Sequence, residues 1–189
     1  MTERIALLGW GSLLWDRGEK FDDCHGRWHY DGPTLKLEFS RISKSRGGGL
    51  TLVIDTENGI DTRVAWCLSR RDRIDSAAED LRKREKTRRE LIGIYSVRGD
   101  RRSHDENAFS EIGGWANERG LDGVVWTDLP SNFDHKTGER FSVDAALRYL
   151  KTLRGHDREK AFRYIRNTPA FVQTPLRIAF SDMLEGVGV

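Results

Sequence analysis

The chain has 189 residues, 37% hydrophobic and 33% charged, with 32 Lys and Arg against 30 Asp and Glu for a net charge of +2. A chain of this order suits one domain and buries roughly two-thirds of its unfolded surface, and six Trp with eight Phe argue against disorder. The 24 Arg and 8 Lys alternate with acids instead of forming a stripe, which speaks against a nucleic-acid binder. Two cysteines, Cys24 and Cys67, can build neither a disulfide scaffold nor a four-Cys zinc site.

In chain order, the run Ile5–Gly9 reads as a buried strand entering a tight loop that reaches Trp15. Gly9, Gly11 and Ser12 interrupt the apolar stretch and Asp16 ends it, so it is too short to span a bilayer. No small-residue cleavage site follows, and a cytoplasmic protein is expected. Thr34–Ser40 alternates Leu35, Leu37 and Phe39 against Lys36 and Glu38, a strand pattern. Strands at Leu50–Asp55 and Thr62–Leu68 are separated by an Asn58-Gly59 turn signal, and Gly47-Gly48-Gly49 closes a hairpin before Leu50. A helix is expected from about Asp75, with Ser76 and Glu79 at capping-box spacing and Ala78, Leu81 and Glu85 on one face. Leu91–Val97 and Gly123–Thr127 read as strands around an amphipathic helix with Ala108, Ile112, Trp115 and Ala116 inward. Ser142 then caps a helix carrying Val143, Ala146, Leu147 and Leu150. A second helix with Ala161, Phe162 and Ile165 stops at Thr168-Pro169, and Pro175 starts a third. The fold class is α+β: a small mixed, mostly antiparallel sheet or barrel with surrounding helices. A single domain is expected over 1–189, with 141–189 as a helical extension.

Several glycine signals fail as cofactor motifs. Gly9-x-Gly11-x-x-Leu14 lacks the third glycine and the βαβ context of a dinucleotide site. Ser12 lacks glycines two residues away on either side, so it is no nucleophile elbow, and the triglycine lacks the Lys-Ser/Thr of a phosphate loop. Cys24, His25 and His29 carry metal-type donors, but no further ligand stands at familiar spacing, and no metal is expected. His104, His135 and His156 are isolated in sequence.

Two places carry more. An apolar strand ending in Gly9-Trp10-Gly11-Ser12-Leu13 can turn backbone N–H groups toward a common point, a nest for a carboxylate walled by Trp10 and Trp15. A tight turn packed with core tryptophans is the alternative. Glu85 shares the helical stripe of Ala78 and Leu81, which turns its carboxylate toward the core and into the range useful for proton transfer. The alternative there is an exposed Glu85–Arg89 pair worth a few tenths of a kcal/mol.

Gly9-Trp10-Gly11-Ser12-Leu13-Leu14-Trp15 resembles the Gly-Tyr-Gly-Ser-Leu-Ile-Trp signature of the gamma-glutamylcyclotransferase-like superfamily, especially its ChaC-type members. Leu81-Arg82-Lys83-Arg84-Glu85 resembles the Leu-x-x-Arg-Glu segment that carries the catalytic glutamate there. The resemblance covers about residues 5–130. It implies a small mixed barrel, no metal or organic cofactor, and a small-molecule γ-glutamyl substrate, with no nucleic-acid or membrane partner. Glu85 would be catalytic, Gly9, Trp10, Gly11, Ser12 and Leu13 would bind substrate, and Arg46 would be an anion contact. Trp10 stands where the family has tyrosine, which admits a catalytically inactive binding protein of the same fold as the alternative. The segment from about Phe141 matches no part of the family pattern.

Overall fold

The first apolar run forms strand β1 (Ile5–Gly9), buried along its whole length, in a computed structural model that describes residues 2–16 and 18–185. There follow helix α1 (Glu19–Asp22), strands β2 (Thr34–Ser43), β3 (Gly49–Ile54), β4 (Ile60–Arg63) and β5 (Ala65–Leu68), and helix α2 (Ile74–Glu85). Next come β6 (Ile92–Ser96), β7 (Arg101–Arg102), α3 (Glu106–Glu118) and β8 (Gly123–Thr127). The described chain ends in helices α4 (Phe133–Thr137), α5 (Val143–Thr152), α6 (Gly155–Asn167) and α7 (Pro175–Glu185). These elements divide into two units, one comprising residues up to Leu35 with Arg63–Leu129, the other Lys36–Thr62 with the chain from Pro130 onward.

The first unit is built on a five-stranded sheet in the order β5-β1-β8-β6-β7. β1 lies antiparallel to β5, with Leu7 opposite Cys67, and parallel to β8, with Ala6 opposite Val124. Side chains alternate across the sheet. Ile5, Leu7, Cys67, Ile92, Ile94 and Val125 gather with Ile74, Ala77, Ala78 and Leu81 of α2 in one apolar cluster. On α3, Phe109 packs on Tyr95 and Trp126, with ring centroids 5.6 and 6.5 Å apart. Opposite Trp126 stands Gly93, where an added Cβ would sit 2.0 Å from the indole; the missing side chain is what lets the ring lie across the strand. Asp105 caps α3 by accepting the Ala108 N–H at 2.9 Å, and Ala108, Ile112 and Ala116 are buried as their spacing predicts.

Two local readings change. The expected strand 62–68 breaks at Val64, whose N–H donates to Pro33 O while its own carbonyl accepts from Gly32 (3.0 Å each); β4 and β5 then enter different sheets. The capping box of Ser76 and Glu79 is not formed. Arg73 is the N-cap of α2, Ser76 N–H donates to Arg73 O at 3.1 Å, and Glu79 is held by Arg82 at 2.7 Å.

The second unit contains a three-stranded sheet in the order β3-β2-β4. The β2–β3 hairpin has Ile42 opposite Leu50, and its turn uses Gly47 and Gly48 at φ 62° and 80°, the left-handed conformation that glycine adopts without penalty. The Asn58-Gly59 turn also forms, with Asn58 donating to the Asp55 carboxylate and Gly59 N–H to Asp55 O at 2.8 Å, but the strands flanking it both line β2. Ser142 caps α5 through the Ala145 N–H at 3.1 Å, α6 ends before Pro169, and Phe162 of α6 meets Phe180 of α7 edge-on at 4.9 Å. The last residues of the expected extension, 186–189, lie outside the described residues.

An α+β architecture is therefore present, with mixed pairing in the larger sheet. Among the described residues that sheet has edges at β5 and β7 and does not close into the expected barrel. No described helix is long and apolar enough to cross a membrane.

Candidate active site

The loop leaving β1 is part of the interior. Gly9, Trp10, Gly11 and Ser12 are buried and Leu13 is half-buried, with Trp10 only 5% exposed. Its backbone tightens into a 3-10 turn over Ser12–Leu14, in which Leu14 N–H donates to Gly11 O at 3.0 Å and Asp16 N–H to Ser12 O at 2.8 Å. The N–H groups at the start of such a turn have no acceptor within it, so the start of this turn is where a nest would draw its donors. Gly11 has φ −124°, so left-handed torsion is not what it supplies. Close approach is what Gly9 supplies, because a Cβ there would sit 2.9 Å from the Trp28 ring and 3.3 Å from Leu14.

Leu13 and Trp28 pack against the cluster that includes Leu81, which seats the loop beside α2. That helix buries Ile74, Ala77, Ala78 and Leu81 on its inner stripe. Glu85, one turn beyond Leu81, is its last residue and is half-buried, with Oε1 sealed from solvent. The end is a Schellman arrangement: Thr87 N–H donates to Arg82 O at 3.2 Å and Lys86 N–H to Lys83 O at 3.3 Å, with Lys86 at φ 50°. Arg89, the proposed surface partner of Glu85, turns its guanidinium to Asp75 at 2.9 Å.

The two sequence motifs meet through a residue outside the predicted site. Arg84 Nη2 donates to the Asp16 carbonyl at 2.6 Å and lies 3.6 Å from Asp16 Oδ2. Its stem runs over Gly18, where an added Cβ would come within 2.8 Å of Arg84 Cδ and Nε. The residue before Glu85 is thus clasped to the residue after Trp15, with the Arg84 side chain 16% exposed. Arg46 belongs to the second unit, in the turn of the β2–β3 hairpin, with its guanidinium 3.8 Å from the Tyr164 ring centroid.

The remaining candidates sort by their contacts. His25 Nδ1–H donates to Gly26 O at 2.6 Å, and its ring lies between Phe21 and Trp28 at 5.0 and 5.1 Å. His29 stacks on Trp66 at 5.0 Å. Cys24 Sγ donates to Lys20 O at 3.1 Å. No group of three or more His, Cys, Asp or Glu side chains converges as a metal set among the described residues.

One pairing escaped the sequence reading. His104 Nδ1 is 2.9 Å from Asp128 Oδ1, and Asp128, 1% exposed, also accepts the Trp126 indole N–H at 2.9 Å and the His104 N–H at 2.7 Å. Burial alone would lower the His104 pKa, but the Asp128 carboxylate outweighs it and raises it. No family model, curated protein or solved structure matches the chain.

Proposed function

We propose that the chain is a gamma-glutamylcyclotransferase-like enzyme, with the fold of that superfamily, that cyclises a γ-glutamyl group to 5-oxoproline and releases an amine or peptide. The observation that supports this reading is the clasp between Arg84 and Asp16, which joins the Gly-Trp-Gly-Ser loop to the end of the helix that carries Glu85. In the reaction the substrate's free α-amine attacks its own γ-carbonyl carbon, forming the ring C–N bond. Collapse of the tetrahedral intermediate then breaks the bond to the leaving nitrogen. Glu85 takes the proton from the attacking ammonium and returns one to the leaving nitrogen, so the carboxylate is regenerated. The N–H groups of the 10–13 loop hold the glutamyl carboxylate and fix the near-attack geometry. A γ-glutamyl amino acid, glutathione or a γ-glutamylamine meets these requirements.

The test is 5-oxoproline release from a panel of γ-glutamyl compounds by the parent chain and by Glu85→Gln. Gln keeps shape and hydrogen bonding but carries no exchangeable acid, so a loss on the order of a hundredfold or more in turnover is expected with the fold retained. A folded Gln variant with parental turnover refutes the assignment of Glu85. Binding of the panel without any 5-oxoproline would instead favour the inactive binder, the outcome that the buried indole of Trp10 in place of a phenol motivates.

A further inference from the structure

We propose that the pocket between α1 and the last turns of α2 binds a small molecule carrying two or more negative charges, at a site separate from Glu85. The pocket has a volume of 520 Å³, within the range of small-molecule sites. Phe21 and Cys24 form its apolar wall, and three lysines, Lys20, Lys83 and Lys86, also line it. Neither Glu85 nor any residue of the 9–13 loop lines it.

Among the described residues the charge balance favours an anion. Two described acids also line the pocket, Asp16 and Asp80, and each is already engaged. Asp80 takes a two-point contact from Arg71 at 2.6 and 3.2 Å, and Asp16 faces Arg84 at 3.6 Å. Lys83 leans on Glu79 at 3.6 Å, while Lys20 and Lys86 are exposed and enter no ion pair among the described residues. The thiol adds no negative charge, since burial and Asp80 raise the Cys24 pKa. A helix C-terminus would ordinarily repel an anion, but the carbonyls of Arg82 and Lys83 already accept from Thr87 and Lys86.

Lys86 supplies an independent indication. It is the one described residue other than glycine with positive φ, at 50°, and it occupies the position that glycine fills in most helix ends of this type. A lysine there carries backbone strain that glycine would relieve, and strain of this kind concentrates at functional positions. Lining this pocket is the function that the geometry assigns to it.

The inference does not depend on the cyclotransferase reading, and its test uses the full-length protein. Calorimetric titrations at low salt would use pyrophosphate and glutarate as separate probes, on the parent, on Lys86→Gly, on Lys20→Ala and on Glu85→Gln. Saturable binding of at least one probe is expected, weakened tenfold or more in both lysine variants and by added NaCl, and unchanged in Glu85→Gln. The melting temperature of Lys86→Gly without ligand should equal or exceed that of the parent. Pyrophosphate binding alone identifies a phosphorylated ligand, and glutarate binding alone a dicarboxylate. The proposal is overturned if neither probe saturates, if the lysine variants bind as tightly as the parent, or if Glu85→Gln loses binding.

Discussion

Replacing Arg84 by methionine removes the guanidinium but keeps an unbranched stem over Gly18. The group removed donates one 2.6 Å hydrogen bond to the Asp16 carbonyl from a side chain that is 16% exposed. Hydrogen bonds from charged donors contribute roughly 1.5–3 kcal/mol. The contact to Asp16 Oδ2 is longer, at 3.6 Å, and its acid is 57% exposed, so screening leaves it well under about 1 kcal/mol. A residual solvent bond to the freed carbonyl offsets part of the loss, and a net cost of about 1–2 kcal/mol is expected, or roughly 2–8 °C in Tm for a chain of this size. If the clasp only tied down the chain, the effect would end there. If it sets the loop against Glu85, kcat for 5-oxoproline formation should fall about tenfold or more while KM changes little, because misplacement acts on the reacting geometry. Arg84→Lys, which keeps a charged donor group on a shorter stem, should recover part of kcat. Denaturant unfolding and steady-state kinetics on both variants separate the cases. Parental kcat in a measurably destabilised Arg84→Met would refute the positioning role.

Three further outcomes follow from particular contacts. Gly9→Ala places a methyl 2.9 Å from the Trp28 ring and should cost about 1–3 kcal/mol by overpacking, visible as an earlier urea midpoint with altered tryptophan fluorescence; an unshifted midpoint would show that Trp28 moves freely. Burial chiefly raises the pKa of Glu38 above its ordinary 4.5, with Asp55 adding to the rise and bonds from Thr174, Phe39 and Leu176 opposing it. The contribution of Glu38 to stability is then complete below the ordinary 4.5 and is lost as pH rises through the folded-state pKa; Glu38→Gln should flatten that fall in urea titrations between pH 4 and 8, and an identical pH profile would exclude Glu38 as its source. The raised pKa of His104 acts with the same sign: its contribution is complete below the ordinary 6.5 and is lost as pH rises through the folded value. Asp128→Asn should lower the His104 titration midpoint by NMR and remove that loss between pH 6 and 8.5, whereas an unmoved midpoint would mean that Asp128 does not govern it.

Local periodicity made much of this molecule legible. The inner stripe of α2, the cap at Ser142, the prolines bounding α6 and α7 and the glycine turn before β3 are all set by neighbours a few residues apart. Where the reading departed, the cause lay far along the chain. Lys36 and Glu38 share the polar phase of β2, which places both toward solvent, and Lys36 is exposed. Glu38 is fully buried because the first turn of α7 covers it, with Glu38 Oε2 accepting the Leu176 N–H at 3.3 Å from 138 residues away. Asp128 likewise takes its histidine from 24 residues back, and no spacing rule joins them. Val64 reads as mid-strand because Val and its neighbours favour strands, yet the pairing of residues 32–33 with it divides the run in two.

The end of α2 shows how one short segment serves several demands at once. Successive residues of a helix point about 100° apart, so Lys83 and Arg84 leave the axis in directions that differ from each other and from the stripe that Leu81 and Glu85 share. Leu81 enters the core, Lys83 faces the basic pocket, Arg84 reaches Asp16, and Glu85 lies half-buried one turn beyond Leu81. Lys86 then ends the helix in a left-handed conformation. None of these directions can change alone, since inserting or deleting one residue would rotate all that follow by the same angle and replace Leu81 or Glu85 with a charge of the wrong kind. The Leu-x-x-Arg-Glu pattern is therefore constrained by packing as well as by chemistry. The clasp from Arg84 to Asp16 is what links this pattern to the Gly9–Trp15 motif. On the same reasoning, a variant that alters only Lys83 or Lys86 should leave the clasp intact, because neither contributes an atom to it.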